Sequence, residues 1–305
     1  VSNFSRSEDL LVSETRTVDV ASPIAAILQE VIDYTGLHRR RFGNEPAEGS
    51  PADLEINSAS GKVFERRLFD IEATHQNAAG ICILSAGYLF ASLTQLYRPD
   101  MALFGFQVVA RATVENSMKA WWLVDPAVSI DTRLARLYAD NLENINQMIR
   151  VGRLGQGDAK LIEKRRAALV KRAQSIGVKP LYNRKNKLIG FGQEVTPGST
   201  EMAAQFFKAL GYEDGEFWYR SLSAICHGTA YGLLGHLKMV DAQDSDLKAL
   251  EPHLSVLEVA NVAVLSVQAY LGAIEFDSRL MGWDSQDVAQ HRQEFQVRML
   301  SILPK

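Results

Sequence analysis

The fold this sequence predicts is all-α, a multi-helix bundle, and three observations predict it. Apolar residues recur at helical spacing through most of the chain. Helix-starting and helix-ending residues flank those stretches, and the strict alternation that marks strands is scarce. The 305 residues, 47% hydrophobic and 23% charged, are enough for one large core.

Residues 1–20 read as a loose, polar tail. Ser22-Pro23 supplies an N-cap followed by proline at the first helical position, opening a helix to about Arg41. FGNEPAEGSPADLEINSASG, residues 42–61, reads as loop because Gly, Pro, Ser and acids dominate it. A long helix follows from about Lys62 to Tyr97 and ends at Arg98-Pro99. Asp100 caps the next, which runs to about Val124 and stops before Pro126. Further helices are expected near Ser129–Val151, Asp158–Ile176, Thr200–Leu210, Gly215–Met239, Pro252–Leu280 and Asp284–Leu300. The connector 177–200 has room for a short strand or hairpin and is long enough to serve as a lid. Residues 1–60 thus form a tail, helix and loop, and 61–305 a helical bundle with a basic excursion at 150–199.

Two cysteines, Cys82 and Cys226, lie in apolar helical patterns, which excludes a disulfide scaffold and fits a reducing, cytoplasmic setting. The first twenty residues carry charges of both signs and do not read as a signal peptide. Gln76–Tyr97 and Val259–Ile274 are uncharged, yet the first is interrupted by Gly80, Ser85, Gly87 and Ser92. Both read as central bundle helices, so no membrane association is expected. P-loop, dinucleotide-binding glycine, HExxH and GxSxG patterns are missing, and no cofactor or metal is expected.

YRSLSAICHGTAYG, residues 219–232, narrows function most. Arg220 and His227 stand seven positions apart, nearly two helical turns, so they project about 20° from one another. A guanidinium neutralises a phosphate while an imidazole moves a proton. Ser223 and Tyr231 share that face, with Lys238 at its far end; Trp218, Leu222, Ile225 and Leu233 oppose it. His236 lies half a turn away from His227 and cannot share a metal with it from one helix. Arg111 and Glu115, four apart, form an intrahelical pair that could orient Arg220 or add positive charge. Glu72 and His75 carry ExxH spacing, and with Glu115 and His227 could furnish polar handles in a pocket between helices.

Charge is distributed unevenly. Arg150 to Lys187 holds twelve basic residues against Asp158 and Glu163, whereas the whole chain is −3. Lys164, Arg165, Arg166, Lys171, Arg172, Arg184, Lys185 and Lys187 are therefore the candidate RNA-backbone contacts.

RATVENSMKAWWLVDP, RLARLYADNLEN, and PGST ahead of YRSLSAICHGTAYGLL resemble an uncharacterised family of bacterial all-helical proteins, over roughly residues 110–235. The last piece is also similar to the Arg-x(4–6)-His signature of HEPN-like domains, with six residues between Arg220 and His227. Here Ser221 follows the arginine, where that family often has Asn, Asp or His, and Gly228 follows the histidine. The resemblance implies a HEPN-like core, a homodimer, and RNA binding or metal-independent ribonuclease activity of a defence or toxin-type system. It implies Arg220 as phosphorane stabiliser and His227 as general acid/base. Two alternatives stand beside it: a small-molecule enzyme or ligand-binding helical protein, and a non-catalytic dimeric interaction module.

Overall fold

A computed structural model of the chain describes residues 8–43, 45–57, 64–96, 102–151, 156–227, 237–241, 248–252 and 256–302. Among them, helical periodicity resolves into ten α-helices. They are α1 (Glu8–Phe42), α2 (Pro51–Asn57), α3 (Phe64–Leu96), α4 (Ala102–Val124), α5 (Ile130–Val151), α6 (Gln156–Ser175), α7 (Ser199–Ala209), α8 (Gly215–Cys226), α9 (Val256–Met281) and α10 (Ser285–Ser301). Two antiparallel two-stranded sheets interrupt them, β1 (Pro180–Tyr182) with β2 (Leu188–Phe191), and β3 (Leu237–Asp241) with β4 (Lys248–Pro252). The all-α bundle is the architecture observed.

Several boundaries differ from expectation. Helix α1 begins at Glu8, and Pro23 sits inside it rather than opening it. It closes at Gly43, whose φ of 69° and amide bond to the Arg39 carbonyl (2.9 Å) form a left-handed C-terminal turn. The predicted loop hides α2, begun by the Ser-Pro grammar assigned to Ser22-Pro23: Ser50 Oγ accepts from Asp53 N, and Asp53 Oδ2 accepts from Gly49 N. The helix expected to reach Met239 is described only to Cys226, and Leu237–Asp241, including Lys238, is strand β3. Pro252 likewise ends a strand instead of starting α9.

Helix α9 runs through the main core, with α1, α3, α4 and α10 packed on it. Trp121 on α4 meets Phe206 on α7 and Phe276 on α9 at ring separations of 5.5 and 6.1 Å. Helices α3 and α4 form a close hairpin because small residues meet between them. Ser85 Oγ bonds the Thr113 carbonyl at 2.9 Å and Ser117 Oγ at 2.6 Å. The α9–α10 contact is polar at its centre, where buried Arg292 donates to Glu275 (3.0 Å) and Gln268 (2.9 Å).

The described residues of the basic excursion are packed, not loose. Its hairpin turns at Asn183–Asn186, where Asn183 Oδ1 accepts from the amides of Lys185 and Lys187, both at 3.0 Å. Phe191 is fully buried against Tyr138 of α5 in a second, smaller core with Leu134, Ala173 and Ile176. Arg136 ties this unit to the bundle, donating to the Trp122 carbonyl (2.9 Å) and to Glu194 (3.1 Å). Among the described residues two helices, α3 and α9, are long and apolar enough to cross a membrane by length and composition. The apolar stretch of α9 is 78% buried within the fold, and that of α3 only 33%.

Candidate functional site

Helices α4 and α8 pack together, and where they meet the sequence-predicted residues divide into two groups. Arg111 and Glu115, one turn apart on α4, make the expected intrahelical pair, Nε to Oε1 at 2.8 Å. Glu115 does not receive Arg220. It accepts instead from the Tyr219 hydroxyl at 2.6 Å, and Arg111 Nη2 donates to that same hydroxyl at 3.3 Å. The guanidinium carbon lies 5.7 Å from the Tyr219 ring centroid, adding a cation–π contact. Burial opposes the charge on Arg111, but the ion pair and hydrogen bonds with Glu115 and Tyr219 outweigh it and raise its pKa. Burial, then the bond to Glu115, likewise raises the pKa of the Tyr219 phenol.

The remaining arm of that guanidinium meets His227. Arg111 Nη1 lies 3.2 Å from His227 Nε2, just past the end of α8, where the His227 amide still bonds the Ser223 carbonyl at 3.0 Å. A guanidinium can only donate, so Nε2 must accept and the ring proton sits on Nδ1. His227 is exposed, while the Arg111 side chain is 19% exposed. The result is a held, partly desolvated cation with a solvent-facing imidazole against it. Such a pair can take an anion at the guanidinium and exchange a proton at the ring. Cys226 borders it; burial raises the thiol pKa, although Arg111 pulls the other way.

Arg220 lies on the outer side of α8, 68% exposed, with its guanidinium on Glu216 at 2.6 Å. Arg220 lies on α8 and His227 just past its end, but the two make no contact, and Arg111 takes the place beside the ring. Ser223 is half-buried on the same helix. Tyr231, with Gly228 and His236, lies outside the described residues.

Glu72 and His75 belong to another part of the fold. His75 is largely buried near Asp277 of α9, Glu72 and Glu55, with Glu55 Oε2 3.8 Å from its Nε2. Burial lowers its pKa. Glu115 and His227 are not among those neighbours, so the four proposed handles do not gather. Among the described residues no group of three or more His, Cys, Asp or Glu is arranged to hold a metal ion.

The basic residues of the excursion are largely accessible. Lys164, Arg165, Lys171, Arg184, Lys185 and Lys187 are exposed. Arg166 is partly buried, held by Glu163 at 2.6 Å and Asn146 at 3.0 Å. Arg172, exposed, pairs with buried Asp70 and covers the Phe69 ring at 4.8 Å. Arg166 and Lys171 from α6 and Lys187 from the hairpin line one open groove of about 480 Å³, which Tyr182 also borders.

The sequence reading names Arg111, Glu115, Arg220 and His227 but gives Tyr219 no role. Its signal was chemical: a buried phenol needs a hydrogen-bond partner, and Glu115 was a carboxylate in need of a donor. The RLARLYADNLEN segment proves structural at three polar positions. Arg133 donates to the Asp125 carbonyl at 2.7 Å, Arg136 clamps the excursion, and Asp140 pairs with Lys119 at 2.9 Å. Comparison with known proteins finds no family model, no curated protein and no solved structure that matches this chain.

Proposed function

We propose that the chain is a HEPN-like RNA-binding protein whose Arg111–His227 pair grips a phosphodiester and cleaves it without a metal. The observation that carries this reading is the 3.2 Å approach of a buried-side guanidinium to an exposed imidazole. In the resting arrangement Nε2 is occupied by Arg111. An incoming phosphate gives the guanidinium a better, anionic acceptor and frees Nε2 to take the proton of a ribose 2′-hydroxyl.

The 2′-oxygen then attacks phosphorus, the bond to the 5′-oxygen breaks, and a 2′,3′-cyclic phosphate forms. The leaving 5′-oxygen takes a proton back from His227. Arg111, fixed by Glu115 and Tyr219, stabilises the added negative charge of the phosphorane. Arg220 reaches the RNA only by leaving Glu216, so it adds affinity at the rim rather than organising the reaction. The accessible lysines and arginines of the excursion supply the sequence-independent contact to phosphates.

His227→Ala tests this directly. Cleavage of single-stranded RNA should disappear while helical circular dichroism is unchanged. Cleavage at the wild-type rate would reject the assignment and leave a non-catalytic helical protein.

A further inference from the structure

Helices α3, α5 and α6 wall a groove of about 510 Å³, a volume in the range of small-ligand sites, with no lining residue shared with the groove at Tyr182. On α3 the wall is Phe69, Ala73 and Asn77, at four-residue spacing, and on α6 it is Arg165, Ala168 and Arg172. Contacts between the helices fix its ends. Helices α3 and α5 run the same way, since Arg67 pairs with Asp131 and Asp70 accepts from the Tyr138 hydroxyl at 2.6 Å. Helix α6 runs the other way, with Arg172 at Asp70 and Arg165 Nη1 3.4 Å from Met148 Sδ. The groove therefore has a Phe69–Arg172 end and an Asn77–Arg165 end, about 12 Å apart by helical rise.

The two arginines differ. Arg172 is neutralised by Asp70 and lies over the Phe69 ring, its guanidinium carbon 4.8 Å from the centroid. Arg165 is exposed, and no carboxylate pairs with it among the described residues; its acceptor is a thioether, a weak one. Three and four residues to either side of it stand Leu161, Ile162, Ala168 and Leu169, so its own helix offers it no acid. The groove thus keeps one uncompensated positive charge, at one end. Between the ends, the Asn77 and Asn141 carboxamides make no hydrogen bond among the described residues, although Asn141 is half-buried. Asn144 spends only its Nδ2, on Asp140 at 3.2 Å. Around these polar groups the lining is apolar, with Leu137 and Ile145 buried and Phe69 58% exposed.

A ligand that matches this order has a flat apolar body, an edge with both donors and acceptors, and a negative charge at the far end. We infer that the groove binds a nucleoside monophosphate, with its base at Phe69 and Arg172, Asn141 on the base edge, and the phosphate on Arg165. An aromatic ring and a guanidinium both stack on a base. A carboxamide donates and accepts at once, which suits a base edge. The guanidinium fork of Arg165 takes two phosphate oxygens, with Asn77 and Asn144 beside it to hydrogen-bond the ribose. A free nucleotide and one unpaired residue of a strand present the same chemistry here. The groove uses no residue of α4 or α8, so the inference stands without the Arg111–His227 reading.

The test is calorimetric titration of the full chain with AMP, GMP, CMP and UMP, with ribose 5-phosphate as the probe that lacks a base. At least one mononucleotide should saturate a single site below about 1 mM, with ribose 5-phosphate at least tenfold weaker. Arg165→Gln should weaken that nucleotide at least tenfold. Ala168→Trp, which fills the groove from an exposed position, should abolish binding with helical circular dichroism unchanged. A trinucleotide of the preferred base separates the sources: equal affinity assigns a free nucleotide, and an affinity at least tenfold higher assigns a strand. Binding is read without turnover, so loss of cleavage in His227→Ala and loss of nucleotide binding in Arg165→Gln are separate results. Four mononucleotides that fail to bind, ribose 5-phosphate as tight as the best of them, or wild-type affinity in either groove variant would each overturn the proposal.

Discussion

Asp277 offers a prediction whose size follows from its surroundings. It lies in α9, 6% exposed, with His75 of α3 and Arg39 of α1 as its charged neighbours and the buried Cys82 thiol close by. Burial pushes its pKa up from 3.8 to about 6, against the opposing pull of His75 and Arg39. The folded chain therefore keeps a proton that the unfolded chain releases near the ordinary aspartate value. The stability from this group is fully present below about pH 4 and is lost as pH rises through about 6.

At about 1.4 kcal/mol per pKa unit, the loss by pH 7.5 is about 3 kcal/mol. Asp277→Asn keeps the shape and never ionises. It should match wild type near pH 4 and exceed it by about 3 kcal/mol at pH 7.5, read by urea unfolding at several pH values. His75, whose pKa burial lowers, works in the opposite direction: its contribution is lost as pH falls below the ordinary histidine value. Comparing the two proteins at each pH largely cancels that background. A difference that stays constant with pH, or a variant weaker than wild type at pH 7.5, would refute the reasoning.

Three further outcomes follow from the same contacts. Tyr219→Phe deletes a 2.6 Å hydrogen bond to a carboxylate and should cost about 2 kcal/mol in chemical unfolding, with a matching fall in RNA cleavage as Arg111 loosens. Arg136→Met strands Asp125 and Glu194 together with the Trp122 carbonyl, and should lower stability by about 3 kcal/mol. Protease nicking should then concentrate in the excursion that Arg136 anchors. Lys171→Ala with Lys187→Ala should reduce the slope of log affinity for single-stranded RNA against log salt by about 0.7 per lost contact, measured by fluorescence anisotropy.

The helices were legible because their apolar period and their punctuation agree, as at Pro126 after α4 and at Asp284, which caps α10; Pro99 and Asp100 lie outside the described residues. Where that grammar occurs twice, one instance misleads: Ser22-Pro23 lies inside a helix, and Ser50-Pro51 starts one. Strand β3 was illegible because Leu, Lys and Met are good helix formers. Its strand state rests on pairing with β4, from Asp241 against Lys248 out to Leu237 against Pro252. The site was half legible. Arg111–Glu115 and the exposure of His227 follow from one helix each. The contact between them spans 116 residues of sequence, and no local rule encodes it. Arg220 lies on the helix that ends just before His227, but it pairs with Glu216, one turn before it, at 2.6 Å.

The Arg111–His227 contact itself is best measured by nitrogen NMR of the histidine rings as an uncleavable 2′-deoxy oligonucleotide is added. Of the six histidines, only His227 should respond at Nε2, moving from hydrogen-bond acceptor toward the protonated form as Arg111 turns to the phosphate. Arg111→Gln should abolish that response. Saturable binding with the His227 signals unmoved would contradict the account at its centre.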